Sequence, residues 1–270
     1  MPTLSVRTSI ARNPVRWFIV IAFVFSYAVG ITVLSLGADW APGSPWLAVY
    51  LQRLPVVAGP AVAAVVVAGA LSGRTGLVSL SGMLRPQSGD WPYFLAMPVA
   101  GLAVAMVAAW ITGETRHLSP LALAERWPAL IAHLCLQVAL IGCLEELGWR
   151  GWLLKHLLKY QSRTLATASV AAVWYVWHLP LILSGAKVAV AIGLAAIALS
   201  ILFTELFVRT QSVLLVALAH GSANAPHFFL ADVVALKDPA DVLLVSGFIY
   251  LVPAAMVVAS WRRASLQRTP

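Results

Sequence analysis

Two adjacent carboxylates, Glu145 and Glu146, are followed one helical turn later by Arg150, and the preceding run from 127 to 144 carries no other formal charge. An ionised side chain near the centre of a membrane helix costs at least ~2.5 kcal/mol, so three of them together mark a place where the chain uses them. Further on, Trp174 and His178 stand four residues apart, and His220 and Asn224 repeat that spacing. On helices each such pair shares one face, as do Glu146 and Arg150, while Glu145 points to a neighbouring face. The arginine can neutralise one glutamate. The other is left for a cavity, a proton or a further group, which suits a general base or a proton carrier.

The elements that must position these groups are membrane helices. The 270 residues are 61% hydrophobic and 10% charged, with a mean hydropathy of +0.88, whereas a soluble domain has roughly 25% charged residues. Apolar segments near 15–37, 47–71, 91–112, 130–153, 164–183, 188–207, 212–230 and 242–261 match a hydrocarbon core of about 30 Å. The expected fold is therefore an all-α polytopic membrane helix bundle of about eight transmembrane helices, a single domain over 1–270. The segment at 47–71 carries Arg53, Pro55 and Pro60 and is the one expected to bend or lie partly at the interface. The polar stretch 72–90 reads as a loop. No fixed-period repeat and no soluble domain are visible.

The net charge of +8 is scattered through short hydrophilic pieces, which argues against nucleic acid as a partner. Twelve of the basic residues fall on one expected side: Arg7, Arg12 and Arg16; Arg74 and Arg85; Lys155, Lys159 and Arg163; Arg209; and Arg262, Arg263 and Arg268. Arg116, Arg126, Lys187 and Lys237 fall on the other. The positive-inside rule then puts both termini in the cytosol, and short loops without a targeting segment fit a bacterial inner membrane. Counting ~1.5 Å per residue, Glu145 lies about 8 Å from the cytosolic face, and His220 and Asn224 roughly 12 and 18 Å from it. His178 joins that layer if its hydrocarbon segment starts at Ser169.

Other polar residues have structural readings. His133, His156 and His227 are expected to be hydrogen-bonded framework; Glu205 to reach the interface or pair with Arg209; Arg53 to serve a buried carboxylate. Cys135 and Cys143 are too sparse for a zinc site and too far apart along a helix for a disulfide. Ser222 has no evident base, and Cys143 has an apolar setting that keeps it a thiol.

Glu145-Glu146-Leu147-Gly148-Trp149-Arg150, then Trp174 to His178 with Leu179-Pro180, then His220 to Asn224, in that order, resemble the CAAX protease and bacteriocin-processing family of intramembrane proteases. That family's pattern is Glu-Glu-x-x-x-Arg, Phe-x-x-x-His and His-x-x-x-Asn on separate helices, and the match covers about 130–230. Trp174 stands where phenylalanine is more usual.

The resemblance implies peptide-bond hydrolysis at the membrane, with Glu145 and His178 activating water, His220 and Asn224 stabilising the oxyanion, and Glu146 held by Arg150. It also implies a membrane protein or a lipidated, prenylated CAAX-type peptide as substrate. Zinc held by Glu145, His178 and His220, with Glu146 in reserve, and metal-free water activation use the same residues, and both stay open. A catalytically silent scaffold or immunity protein of the same fold, and a proton-coupled transporter, are the competing classes. The transporter predicts an inverted repeat that the segment pattern lacks.

Overall fold

A backbone in hydrocarbon must satisfy its own hydrogen bonds, and this chain does so entirely with helices. The computed structural model describes residues 6–36, 45–117, 119, 121, 125–234 and 236–266, and among them there is no strand. Arg268 and the expected end of the first segment at residue 37 lie outside the described residues. Among the described residues seven helices are long and apolar enough to cross a membrane: α1 (Pro14–Val33), α2 (Leu47–Gly82), α3 (Trp91–Ile111), α4 (Trp127–Leu157), α6 (Ala186–Thr210), α7 (Val213–Asp232) and α8 (Pro239–Arg263). The chain is an integral multi-pass membrane protein.

The fifth expected segment, 164–183, forms a shorter helix than its hydropathy suggests. Its helix α5 spans Arg163–Trp177 and ends at His178, whose ψ is 15°; a single turn, Leu179–Ile182, follows. Pro180 causes the break, because it has no N–H to continue the ladder and its ring crowds the preceding turn. The freed carbonyls of Val176 and Trp177 accept the Tyr27 hydroxyl at 3.3 and 3.0 Å. The chain nevertheless passes from one end of the bundle, at Arg163, to the other, at Lys187.

Two further expectations are corrected. Residues 72–82 are helical rather than loop: α2 runs on to Gly82 through a sharp kink at Gly73, where φ is +56°, a conformation open to glycine. The same α2 is interrupted at Ala58, between Pro45–Val57 and Gly59–Gly82, in keeping with the bend expected of the segment. Among the described residues no carboxylate pairs with Arg53 as expected; its guanidinium lies over the Phe228 ring at 5.1 Å.

Hydrophilic pieces gather at two opposite rims. At one, Arg7 donates to the Ala70 carbonyl, Lys155 approaches the Met83 sulfur, and Glu205 accepts from Arg163, Arg209 and Trp261. At the other, Lys187 pairs with Asp238 and Asp241, while Glu114 accepts from the backbone of Lys237 and Asp238. Four of the basic residues grouped by sequence, Arg7, Lys155, Arg163 and Arg209, thus make their contacts at one end. His133 is framework as expected: it bonds the Tyr50 hydroxyl at 2.8 Å and faces Asp232 at 3.7 Å.

The crossing of α4 and α7 decides where the candidate groups meet. A Cβ on Gly142 would sit 2.6 Å from the Ala217 carbonyl oxygen, and one on Gly221 would sit 2.8 Å from the Val138 backbone nitrogen. Only glycine lets these backbones approach so closely. Gly142→Val should therefore destabilise the protein by about 1–3 kcal/mol through overpacking, read as a lowered thermal midpoint in detergent; an unchanged midpoint would contradict this account of the crossing.

Candidate functional site

Helix α4 changes winding around its glutamates. Wide π-helical turns at Gln137–Gly142 and Leu147–Leu154 flank the short α-helical stretch Cys143–Glu146. Such turns re-aim side chains relative to a regular helix and recur at functional sites. Here they set Glu145 and Glu146, 3% and 0% exposed, against two different partners.

Glu146 is clamped. Arg150 Nη1 donates to its Oε1 at 2.9 Å and lies 2.8 Å from its Oε2, and His220 Nδ1 is 2.7 Å from Oε1. The other guanidinium end donates to Ser200 Oγ at 3.2 Å. Arg150 Nε has no hydrogen-bond partner, but the guanidinium carbon lies 4.7 Å from the Trp174 ring centre and 5.0 Å from that of Phe203. Those ring faces partly compensate a desolvated cation.

Glu145 is held at one oxygen. The Trp174 indole N–H donates to Oε2 at 2.9 Å, and among the described residues nothing donates to Oε1. Trp174 also brings the imidazoles in: its ring centre is 5.6 Å from that of His178 and 5.5 Å from that of His220, both edge-on. His178 Nδ1 lies 2.8 Å from the Trp174 carbonyl. A carbonyl only accepts, so Nδ1 carries the hydrogen and Nε2 is left free. Below this layer Trp177 donates to Ser26 Oγ, which donates to the Val56 carbonyl, tying α5 to α1 and α2.

Of the residues singled out by sequence, Glu145, Glu146, Arg150, His178 and His220 come together around Trp174. Asn224 lies one turn beyond His220 on α7, half-buried and without a hydrogen bond to any described residue. Ser222 is buried and its Oγ has no partner, so no base activates it. Among the described residues no three His, Cys, Asp or Glu side chains are grouped as a metal requires, the set Glu145, His178 and His220 included. His220 Nδ1, Glu145 Oε2 and His178 Nδ1 are turned to Glu146, the Trp174 indole and the Trp174 carbonyl, which leaves one donor atom free on each of the three.

Sequence reasoning missed three contributions. Ser200 and Phe203 come from α6, where Ser200 and Thr204 are polar residues one turn apart in an apolar helix, a signal that was present but unused. Trp174, expected only as an aromatic residue in place of phenylalanine, is also a hydrogen-bond donor. Because Glu146 is fully buried, removing its cation leaves an uncompensated charge, which costs about 3–5 kcal/mol. Arg150→Met should accordingly abolish folded protein or lower its thermal midpoint steeply. Arg150→Lys, which cannot span Glu146 and Ser200 together, should fall between it and wild type; equal midpoints for all three would refute the clamp.

The family model for type II CAAX prenyl endopeptidase Rce1-like proteins matches residues 126–226, a stretch that holds every residue of this cluster except those supplied by the first helices. A comparison with curated proteins finds no match. Over that stretch the chain is similar to the type II CAAX prenyl endopeptidases.

Proposed function

We propose that the protein is an intramembrane endopeptidase that hydrolyses a peptide bond in a membrane protein or a lipidated, CAAX-type peptide. The observation that carries this reading is the inequality of the two glutamates. Glu146 is paired with the Arg150 cation and with His220, whereas Glu145 has no cation paired with it among the described residues, keeps Oε1 without a donor, and shares Trp174 as a neighbour with His178, whose Nε2 is free.

Hydrolysis then divides among these groups. Glu145 and His178 Nε2 orient a water and take its proton as its oxygen attacks the carbonyl carbon. His220, with Nδ1–H on Glu146, offers its Nε2 side to the developing oxyanion and donates there when protonated; the Asn224 carboxamide is the second donor. As the C–N bond breaks, the proton held by Glu145 and His178 passes to the leaving amine. Arg150 fixes the charge of Glu146 and, through it, the His220 ring. The rim rich in lysine and arginine faces the cytosol in this reading, with both termini there, and the membrane is a bacterial inner membrane.

Glu145→Gln keeps the shape and the Trp174 contact but removes the base. It should lower turnover of a CAAX or transmembrane peptide by at least ~100-fold while leaving the thermal midpoint near wild type. Because no step uses a metal, wild-type cleavage should survive chelation. Cleavage by the variant at the wild-type rate would overturn the assignment of Glu145. If neither wild type nor variant cleaves any peptide of the panel and the two behave alike in cells, the protein is a scaffold of this fold. Loss on chelation with rescue by zinc would overturn the metal-free step.

A further inference from the structure

At the basic rim, the kinked end of α2 and the last turns of α4 enclose a cleft of about 260 Å³. Lys155, His156 and Lys159 line one wall, and the hydroxyls of Ser72, Thr75 and Ser79 line the other; no Asp or Glu is among the lining residues. Lys155 is half-buried, and among the described residues the one hydrogen-bond acceptor it meets is the Met83 thioether, at 3.8 Å. Sulfur is a weak acceptor, so this ammonium has given up water without gaining an anion. The floor is apolar: Trp152, stacked on His156 with ring centres 4.9 Å apart, together with Leu71 and Leu80.

We propose that this cleft binds the phosphate of an anionic membrane lipid. Lysines deliver point charges to phosphate, and hydroxyls supply further donors. Basic pockets between helices at the cytosolic surface are where anionic head groups bind. The dimensions select a head group rather than a whole molecule, since pockets that enclose drug-sized ligands begin at about 300 Å³. The acyl chains have a place to lie. Leu77 and Val78, between the hydroxyl-bearing positions of α2, are 38% and 59% exposed, as is usual for lipid-facing side chains. A free phosphate ion would need neither the apolar floor nor that flank. The kink at Gly73 builds the site, because it turns the Ser72–Ser79 stretch over the end of α4.

The test uses the full-length protein in a neutral detergent and follows its thermal midpoint on adding phosphatidylglycerol, phosphatidylcholine or inorganic phosphate. Phosphatidylglycerol should raise the midpoint by several degrees and phosphatidylcholine by much less. Lys155→Gln/Lys159→Gln should lose most of that rise, and Lys155→Arg/Lys159→Arg should retain it. Arg116→Gln/Lys237→Gln, which removes the same charge from the opposite rim, should behave as wild type. The proposal fails if the glutamine variant keeps the full shift, if both lipids act alike, or if the Arg116 and Lys237 control loses the shift equally. Inorganic phosphate producing the whole effect would replace the lipid by a soluble ion. None of these readouts depends on peptide cleavage, so the site stands or falls separately from the proposed activity.

Discussion

Everything around the candidate site follows from the need to bury Glu146 completely. A carboxylate with no exposure inside a helix bundle is tolerable only if a cation and further donors take the place of water. Arg150, one turn away, supplies the cation; His220, from a helix 74 residues later, supplies a second partner to the same oxygen. That second bond requires α4 and α7 to touch backbone to backbone, which is why Gly142 and Gly221 face Ala217 and Val138. The guanidinium must in turn be packed, and Trp174, Phe203 and Ser200 are drawn in from α5 and α6 to do so. One buried charge therefore organises four helices.

Trp174 links this framework to chemistry. It lies against the Arg150 cation, donates its indole N–H to Glu145, and holds the His178 and His220 rings edge-on. A phenylalanine there would keep the packing and lose the donor. In this chain the position of the free glutamate oxygen is thus tied to the same residue that covers the buried arginine, so structural and functional demands converge on one side chain.

What could be read beforehand depended on how local each signal was. The pairing of Glu146 with Arg150 needed only the spacing of two charges on one helix, and the helical class needed only hydropathy. Grouping of the basic residues at one rim followed from charge asymmetry along the chain and appears in contacts such as Arg163 and Arg209 with Glu205. Three things were not legible. His220 binds Glu146 through Nδ1, a pairing between α7 and α4 that no spacing along the chain encodes, because the partner of an imidazole is chosen by three-dimensional packing. Ser200 and Phe203 belong to a helix without a motif. The helix at 72–82 is polar and glycine-rich, so composition suggested a loop, yet contact with the end of α4 makes it a helix, with Gly73 absorbing the change of direction.

The break in α5 shows how the His178 ring is fixed apart from the buried clamp. A continuous helix through 178 would direct the Trp174 carbonyl to the amide of residue 178, leaving the His178 ring to find another partner. With Pro180 ending the ladder, the His178 amide instead bonds the Tyr175 carbonyl, and the Trp174 carbonyl receives the ring Nδ1. The imidazole is thereby fixed by its own helix end, one nitrogen satisfied and the other free, without help from the buried clamp. The proposed hydrolysis calls for both conditions at once: a charge network that holds the bundle, and a carboxylate and an imidazole that keep an atom free of it. A proline two residues beyond the histidine separates the two.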